Sequence, residues 1–253
     1  MPPAPTSFSL EPVYLALACL GAWLYARAAR RDRPGAGRAA LFSLGLFFVA
    51  APLNSPLETL SAQYLLLAHL AQNAILADWA PLLLLVGLTP AMRRRLLAWG
   101  GRPLRIATEP AVSLPVWLLV WYGVHLPPFY DWALRTGWGL QVEHALLFAA
   151  GLVFWWPPLE PEPRRLSAPL ALAYVAIGFV ASPWLAVAYI FAPDAFYAPY
   201  EDARRLWGLS PERDQALGGI LMQTEMALVF VVLMAHLFLK LLDEDAAAER
   251  SGG

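Results

Sequence analysis

The chain has 253 residues, of which 59% are hydrophobic and 15% charged, whereas an ordinary soluble domain carries about 25% charged residues. This composition is typical of a membrane protein. The formal net charge of −1 argues against nucleic acid as a partner, because phosphate binding requires a concentrated basic surface. The single cysteine, Cys19, excludes a disulfide framework and a CxxC metal motif, so any soft-metal site would have to use His and Met.

Seven apolar segments are long enough to be membrane-spanning helices. They cover residues 11–29, 39–54, 63–88, 111–126, 140–158, 168–192 and 216–241. The fourth is the weakest, because prolines stand at both of its ends and its neighbours would have to complete the span. We therefore expect an all-α polytopic membrane protein, with a single domain of seven transmembrane helices over residues 1–242 and a flexible cytoplasmic tail over residues 243–253.

The basic residues are concentrated on one side of this arrangement. The connections after the first, third and fifth segments and the C-terminal end hold fourteen of the 18 Lys and Arg residues, and the other four are Arg135, Arg204, Arg205 and Arg213. The positive-inside rule then predicts an N-terminus outside and a C-terminus in the cytoplasm. No Lys or Arg precedes the first segment, which is the wrong charge order for a cleaved signal peptide, so we expect this segment to remain a helix.

The longest connection on the sparsely charged side covers residues 193–215. We predict a short helix there, lying at the membrane interface. Aromatic residues are enriched at such interfaces, and Tyr197, Tyr200 and Trp207 are expected to belong to this aromatic belt.

Polar side chains interrupt the apolar segments at similar depths. His69, Gln72 and Asn73 stand at i, i+3 and i+4 and therefore share one helix face. His125 ends the fourth segment, and His144 lies about one turn into the fifth, on the same side. Polar faces inside a membrane ordinarily point at a bundle interior or a wet cavity. The sequence thus places three of four histidines in one leaflet.

Two methionines of the seventh segment, Met222 and Met226, lie at comparable depth and are i, i+4 neighbours. Imidazole and thioether suit copper(I) in a site without thiolates. Carboxylates are harder ligands, so Glu143 and Glu225 are expected to orient a histidine ring instead. A lone membrane histidine more often hydrogen-bonds between helices, and methionines often fill gaps in a core. Both interpretations stay open at this point.

Several motifs occur in the order found in one family. SPLETL, AHLAQN and APLLLLVGLTP are followed by HLPPFYDWALR, EHALLFAAGLVFWWP and DQALGGILM. From about Arg38 to the end of the seventh segment, the chain resembles the CtaG family of cytochrome c oxidase assembly factors, seven-helix membrane proteins implicated in supplying copper to the oxidase.

The resemblance implies a set of candidate metal-site residues, which are His69, His125, His144 and Met222. It also implies that Asp214 and Gln215 form the polar pair above that site. The chain departs from the family pattern at Val124 and Gln223, where tryptophan is common, and most importantly at Asn73. Asn73 stands where the family has a second histidine, and an amide is a poor ligand for copper(I).

These observations predict a non-enzymatic assembly factor in the cell's inner (plasma) membrane that holds Cu+ and passes it to an oxidase subunit or another copper carrier. Its surroundings would be the lipid bilayer, and the sequence leaves homo-oligomers open. Three alternatives remain. One is a membrane haem protein or haem-modifying enzyme, in which two histidines would be axial ligands of the iron. The second is a transporter that uses Asp78 and Glu225 as charges inside the membrane. The third is a structural partner of the oxidase that binds no metal.

Overall fold

The computed structural model describes residues 3–160 and 166–252, with side chains placed as far as Glu244. These residues contain no strand, and 81% of the chain is helical, which confirms the all-α prediction. In chain order the helices are α1 (Pro12–Asp32), α2 (Ala36–Ala50), α3 (Pro56–Gln63), α4 (Leu66–Ala74), α5 (Ala80–Gly87), α6 (Pro90–Ala107), α7 (Pro110–Val124), α8 (Pro127–Arg135), α9 (Gly139–Leu159), α10 (Ala168–Ala181), α11 (Trp184–Phe191), α12 (Ala198–Glu201) and α13 (Pro211–Gly252).

Five helices of the described ranges are long and apolar enough to cross a membrane, namely Pro12–Asp32, Leu66–Gly87, Gly139–Leu159, Ala168–Phe191 and Pro211–Glu244. Pro110–Val124 and Pro127–Arg135 add a sixth if they act as one span, although they are bent by 67°. Ala36–Ala50 has only 15 residues, which is about 22 Å of helix against a hydrocarbon core of about 30 Å. The count of seven spans stays a prediction.

The third predicted segment, 63–88, is not one regular helix. The chain leaves α3 at Tyr64 and is extended at Leu65 before α4 begins. Between α4 and α5 the residues Ile75–Trp79 form a π-helical turn, a wider turn that is rare and often found at functional sites. Gly151 of α9 packs directly against the Ala77 carbonyl of this turn, where a Cβ atom would collide with it.

Residues 90–107 follow the third segment and form α6 rather than an irregular connection. Thr89 caps its first turn, because its hydroxyl accepts a hydrogen bond from the Met92 amide at 3.2 Å. Gly101 takes a positive φ of 60° and kinks the helix. α6 therefore carries its arginines as an ordered helix across one end of the bundle.

This end of the bundle is called the arginine end. Arg38 donates from Nη1 to the carbonyls of Val86 at 2.7 Å and Leu88 at 2.8 Å, where α5 finishes. Arg95 of α6 pairs with Asp32 at the end of α1. Basic groups at the end of a helix bind its free carbonyls and oppose its negative dipole. Two further arginines that the topology prediction counted here, at 164 and 165, lie outside the described residues.

In the half of the bundle away from the arginine end, helix α13 packs against α4 and α11. Gly218 meets Leu67 and Leu70 of α4, and Gly219 meets α11, with no room for a Cβ atom at either glycine. The two glycines therefore allow α13 to pack closely between α4 and α11. The backbone of α13 stays helical to Gly252. The flexibility expected for residues 243–253 stays a prediction, and Gly253 lies outside the described residues.

Candidate functional site

Three helices bring histidines together at the end of the bundle opposite the arginines. His69 comes from α4, His144 from the start of α9 and His125 from the bend between α7 and α8, and all three are buried. The rings of His69 and His144 have centroids 6.1 Å apart. We call this the histidine end. His236 lies on α13 at the other end, beside Arg93 and Lys240.

His69 has a hydrogen-bond partner at each ring nitrogen. Nδ1 lies 2.8 Å from the Tyr200 hydroxyl, and Nε2 lies 3.0 Å from Oε1 of Glu143. The same hydroxyl donates to the Ser61 carbonyl at 2.5 Å. A phenol has one hydrogen, so both of its bonds form only when His69 Nδ1 is the donor to Tyr200. His69 is thus fixed on both sides.

Glu143 joins two of the predicted residues. Its Oε1 atom lies 3.0 Å from Nε2 of His69 and accepts from Nδ2 of Asn73 at 2.8 Å. Asn73 stands at the position where the family resemblance implies a histidine, and here it holds Glu143 in place. The second carboxylate oxygen of Glu143, Oε2, and the amide oxygen of Asn73, Oδ1, are buried and have no hydrogen-bond partner among the described residues.

Tyrosines surround the histidines, and the sequence interpretation missed them. The Tyr130 ring lies 4.7 Å from the His69 ring and 6.0 Å from the His125 ring, measured between centroids. Tyr197 stacks on Tyr130 with centroids 4.0 Å apart, and its hydroxyl donates to the His125 carbonyl at 2.7 Å. Tyr130 stands five residues after His125 in HLPPFYDWALR, so that motif could have indicated it.

The interface role expected for residues 193–215 was wrong for both tyrosines. Tyr197 and Tyr200 are buried, because the single turn of α12 folds inward over the histidine end. Burial, followed by the nearby Glu143 carboxylate, raises the pKa of Tyr200 well above its ordinary value, so the phenol keeps its proton. Trp207 is 75% exposed, as a belt residue would be.

Within the described part of the chain, two buried imidazole nitrogens have no hydrogen-bond partner. His125 Nδ1 lies 2.6 Å from the Trp121 carbonyl and can only donate to it, which leaves Nε2 as the acceptor nitrogen. That Nε2 atom and the Nε2 atom of His144 are both buried and unpaired. An unprotonated imidazole nitrogen is the form that binds a metal ion.

The side chains of Met222 and Met226, both on α13, are buried in the interior of the bundle. They follow Gly218 at i+4 and i+8, which places all three on the face of α13 that meets α4. Glu225 instead lies near Asp78 and Trp79 at the π-helical turn, deeper in the bundle, and neither of its carboxylate oxygens has a hydrogen-bond partner among the described residues.

Asp214 and Gln215 fix backbone above the site. Asp214 caps α4, because its carboxylate accepts from the amides of Leu66 at 2.7 Å and Leu67 at 3.1 Å. Gln215 accepts from the Phe196 amide at 2.8 Å and donates to the Asp194 carbonyl at 3.3 Å. Both residues join the start of α13 to segments that enclose the histidines.

The free imidazole nitrogens at the histidine end fit copper(I) better than a hard cation, and the buried thioether of Met222 on α13 is a soft donor of the kind such a site uses. Among the side chains that the structure describes, no group of three His, Cys, Asp or Glu is arranged to hold one metal ion. A copper ion would therefore have few ligands here, and His69 would have to exchange one of its two hydrogen bonds to join them.

The sequence model of the cytochrome c oxidase caa3 assembly factor family (Caa3_CtaG) matches residues 20–244. The match extends over most of the chain, and the chain belongs to this family. Comparisons with curated proteins and with solved structures gave no match. The family membership and the apolar helices together identify a membrane protein of the cytochrome c oxidase assembly class.

Proposed function

We propose that the chain is a non-enzymatic assembly factor that holds copper(I) at the histidine end and delivers it to the oxidase. Family membership supports the oxidase as the partner. The observation that carries the copper step is the pair of buried, unpaired Nε2 atoms of His125 and His144, with Met222 as a soft donor on the facing helix. Few ligands suit a carrier, because handing over an ion requires an open coordination position.

The proposal includes a topology of seven spans, with the histidine end outside the plasma membrane. The spans would be α1, α2, α4 with α5, α7, α9, α10 with α11, and α13. Its support is the separation of charge along the bundle, since Arg38, Arg93 and Arg95 gather at one end and the histidines at the other. Copper would then be received and released on the outer side, where an oxidase subunit or a soluble copper carrier could reach it.

Deletion of the gene tests the cellular role. We expect the haem-copper oxidase of the deletion strain to contain less copper and to lose activity when copper is limiting. Added copper should restore part of that activity. Full copper loading of the oxidase in the deletion strain under limitation would contradict the proposal.

Copper stoichiometry of the purified protein tests the site itself. We expect the unmodified protein to retain about one Cu(I) per chain against a competing chelator, and a double variant, His125→Ala with His144→Ala, to retain far less. His236→Ala is the matched control, because it removes an imidazole from the arginine end. If all three proteins retain the same amount of copper, His125 and His144 are not copper ligands.

A second candidate function is a structural partner of the oxidase that binds no metal. The hydrogen bonds of His69 favour this second function, because Tyr200 and Glu143 are bonded to its two ring nitrogens and leave neither free for a metal ion. The two functions differ in one measurement. For a purely structural partner, the His125→Ala and His144→Ala double variant should still support oxidase assembly in cells with limited copper, provided that it reaches the membrane at the normal level.

A further inference from the structure

A cavity of about 1040 Å³ opens at the arginine end, far from the histidines. It lies among α5, α6, the end of α9, the start of α10 and the second half of α13. α13 packs closely on α4 near the histidines, but further along the cavity separates it from α5. The cavity is thus a wedge between helices that meet at one end only.

The walls of the cavity are divided into an apolar part and a basic part. Leucine and valine side chains of α5 and α13 form the long walls, whereas the mouth carries Arg38, Arg93, Arg94, His236 and Lys240. Leu228 and Lys240 mark the two ends of the wall on α13. They are about 18 Å apart at 1.5 Å per residue, which is close to half of a hydrocarbon core of about 30 Å.

Arg93 is the cation that most needs a partner at this mouth. It is only 8% exposed. Nη1 donates to the Leu85 carbonyl at 2.9 Å, whereas Nε is buried and has no hydrogen-bond partner among the residues that the structure describes. Burial, and then repulsion from Arg38, lowers the pKa of Arg93 to about 10, and Glu160 partly opposes this shift. An anion at the mouth would satisfy the free donor and separate the two like charges.

We propose that this cavity binds one anionic phospholipid, with its phosphate at the arginines and an acyl chain along α13. The match between a basic mouth and an apolar wall one leaflet long carries this assignment. A soluble anion would use only the mouth, and a zwitterionic lipid would bring a cation next to the arginines. Basic pockets between membrane helices are known to bind anionic lipid head groups.

Native mass spectrometry of the detergent-purified protein tests the proposal. The protein is mixed with equal amounts of phosphatidylglycerol and phosphatidylcholine that carry the same acyl chains. We expect it to retain phosphatidylglycerol in preference, and a double variant, Arg94→Gln with Lys240→Gln, to bind that lipid about 30-fold more weakly, since each basic group near an anionic lipid contributes about fivefold.

A matched double variant, Arg31→Gln with Arg102→Gln, removes the same charge from exposed positions that do not line the cavity. It should retain the lipid like the unmodified protein. The proposal is overturned if both double variants behave alike, or if the unmodified protein retains the two lipids equally. It is also overturned if millimolar inorganic phosphate displaces phosphatidylglycerol, because the mouth alone would then be an anion site.

Discussion

At the histidine end, Glu143 is hydrogen-bonded to both His69 and Asn73, and Tyr200 forms a second hydrogen bond with His69. At the arginine end, Arg93 is buried with a free Nε atom and a second arginine nearby. Connected buried hydrogen bonds keep side chains in one arrangement, whereas an unpaired buried cation is costly. The comparison teaches that the positions of His69, Asn73 and Glu143 are fixed by hydrogen bonds within the chain, whereas in our proposal the arginine end is completed by an anionic lipid.

The largest expected loss of stability comes from removing the Glu143 carboxylate, which links His69 and Asn73 at the histidine end. Glu143→Ala leaves His69 Nε2 and the Asn73 amide buried without the carboxylate that both contact. We expect the free energy of unfolding in detergent to fall by about 3–5 kcal/mol. Glu143→Gln retains an oxygen acceptor of the same size, so its loss should be smaller. Chemical denaturation followed by tryptophan fluorescence measures both, and equal losses would mean that these hydrogen bonds are not what Glu143 contributes.

The cap that Asp214 provides for α4 should have the next largest effect. Asp214→Ala removes the acceptor for two amides at the helix start, and we expect a loss of about 1–2 kcal/mol in unfolding free energy. Glu212→Ala is the matched control. It removes a carboxylate from the same turn of α13, where the residue is exposed. If the two variants unfold at the same denaturant concentration, the cap is not significant.

The sequence could predict how deep each histidine lies along its helix. It could not predict toward which neighbouring helices a side chain faces. His69, His125 and His144 were expected in one leaflet, because a fixed rise per residue sets the depth of each, and they do meet at one end. Tyr197 and Tyr200 were misplaced, because the path of an irregular connection depends on what packs beneath it rather than on a periodic pattern.

The sequence pattern also could not predict where the helix of the third predicted segment is interrupted. Its apolar run continues through Leu65 and the π-helical turn without a glycine, and a proline follows only at Pro81. The interruption is fixed by partners far away in the chain, namely the Asp214 carboxylate at the start of α4 and Gly151 against the π-helical turn. Long-range contacts of this kind leave no local signal.

At the arginine end, removing the buried charge should change stability little. Arg93→Gln keeps a polar, uncharged side chain and relieves the repulsion from Arg38. We expect a change within about 1 kcal/mol for protein freed of lipid, measured by the same denaturation. Anionic lipid should then stabilise the unmodified protein more than the variant. A loss as large as that of Glu143→Ala would show that Arg93 is a structural ion and would erase the contrast between the two ends.

The smallest effect on the free energy of unfolding is expected from the ionisation of Glu58, which lies on α3 next to the histidine end. Its Oε2 atom accepts from Gln72 Nε2 at 2.7 Å, and burial raises the pKa of its carboxyl group despite that bond. The folded state therefore binds the proton more tightly than the unfolded chain does. This contribution to stability is present at acidic pH and is lost as the pH rises through the folded-state pKa.

Glu58→Gln isolates this contribution, because glutamine remains uncharged and can still accept from Gln72. The difference in unfolding free energy between the variant and the unmodified protein should favour the variant at neutral pH. It should shrink as the pH is lowered toward the ordinary range of a glutamate, where the carboxyl group is protonated in both states. A difference that stays constant from acidic to neutral pH would mean that Glu58 titrates alike in the folded and unfolded chain, so that its burial beside Gln72 costs the charged form nothing.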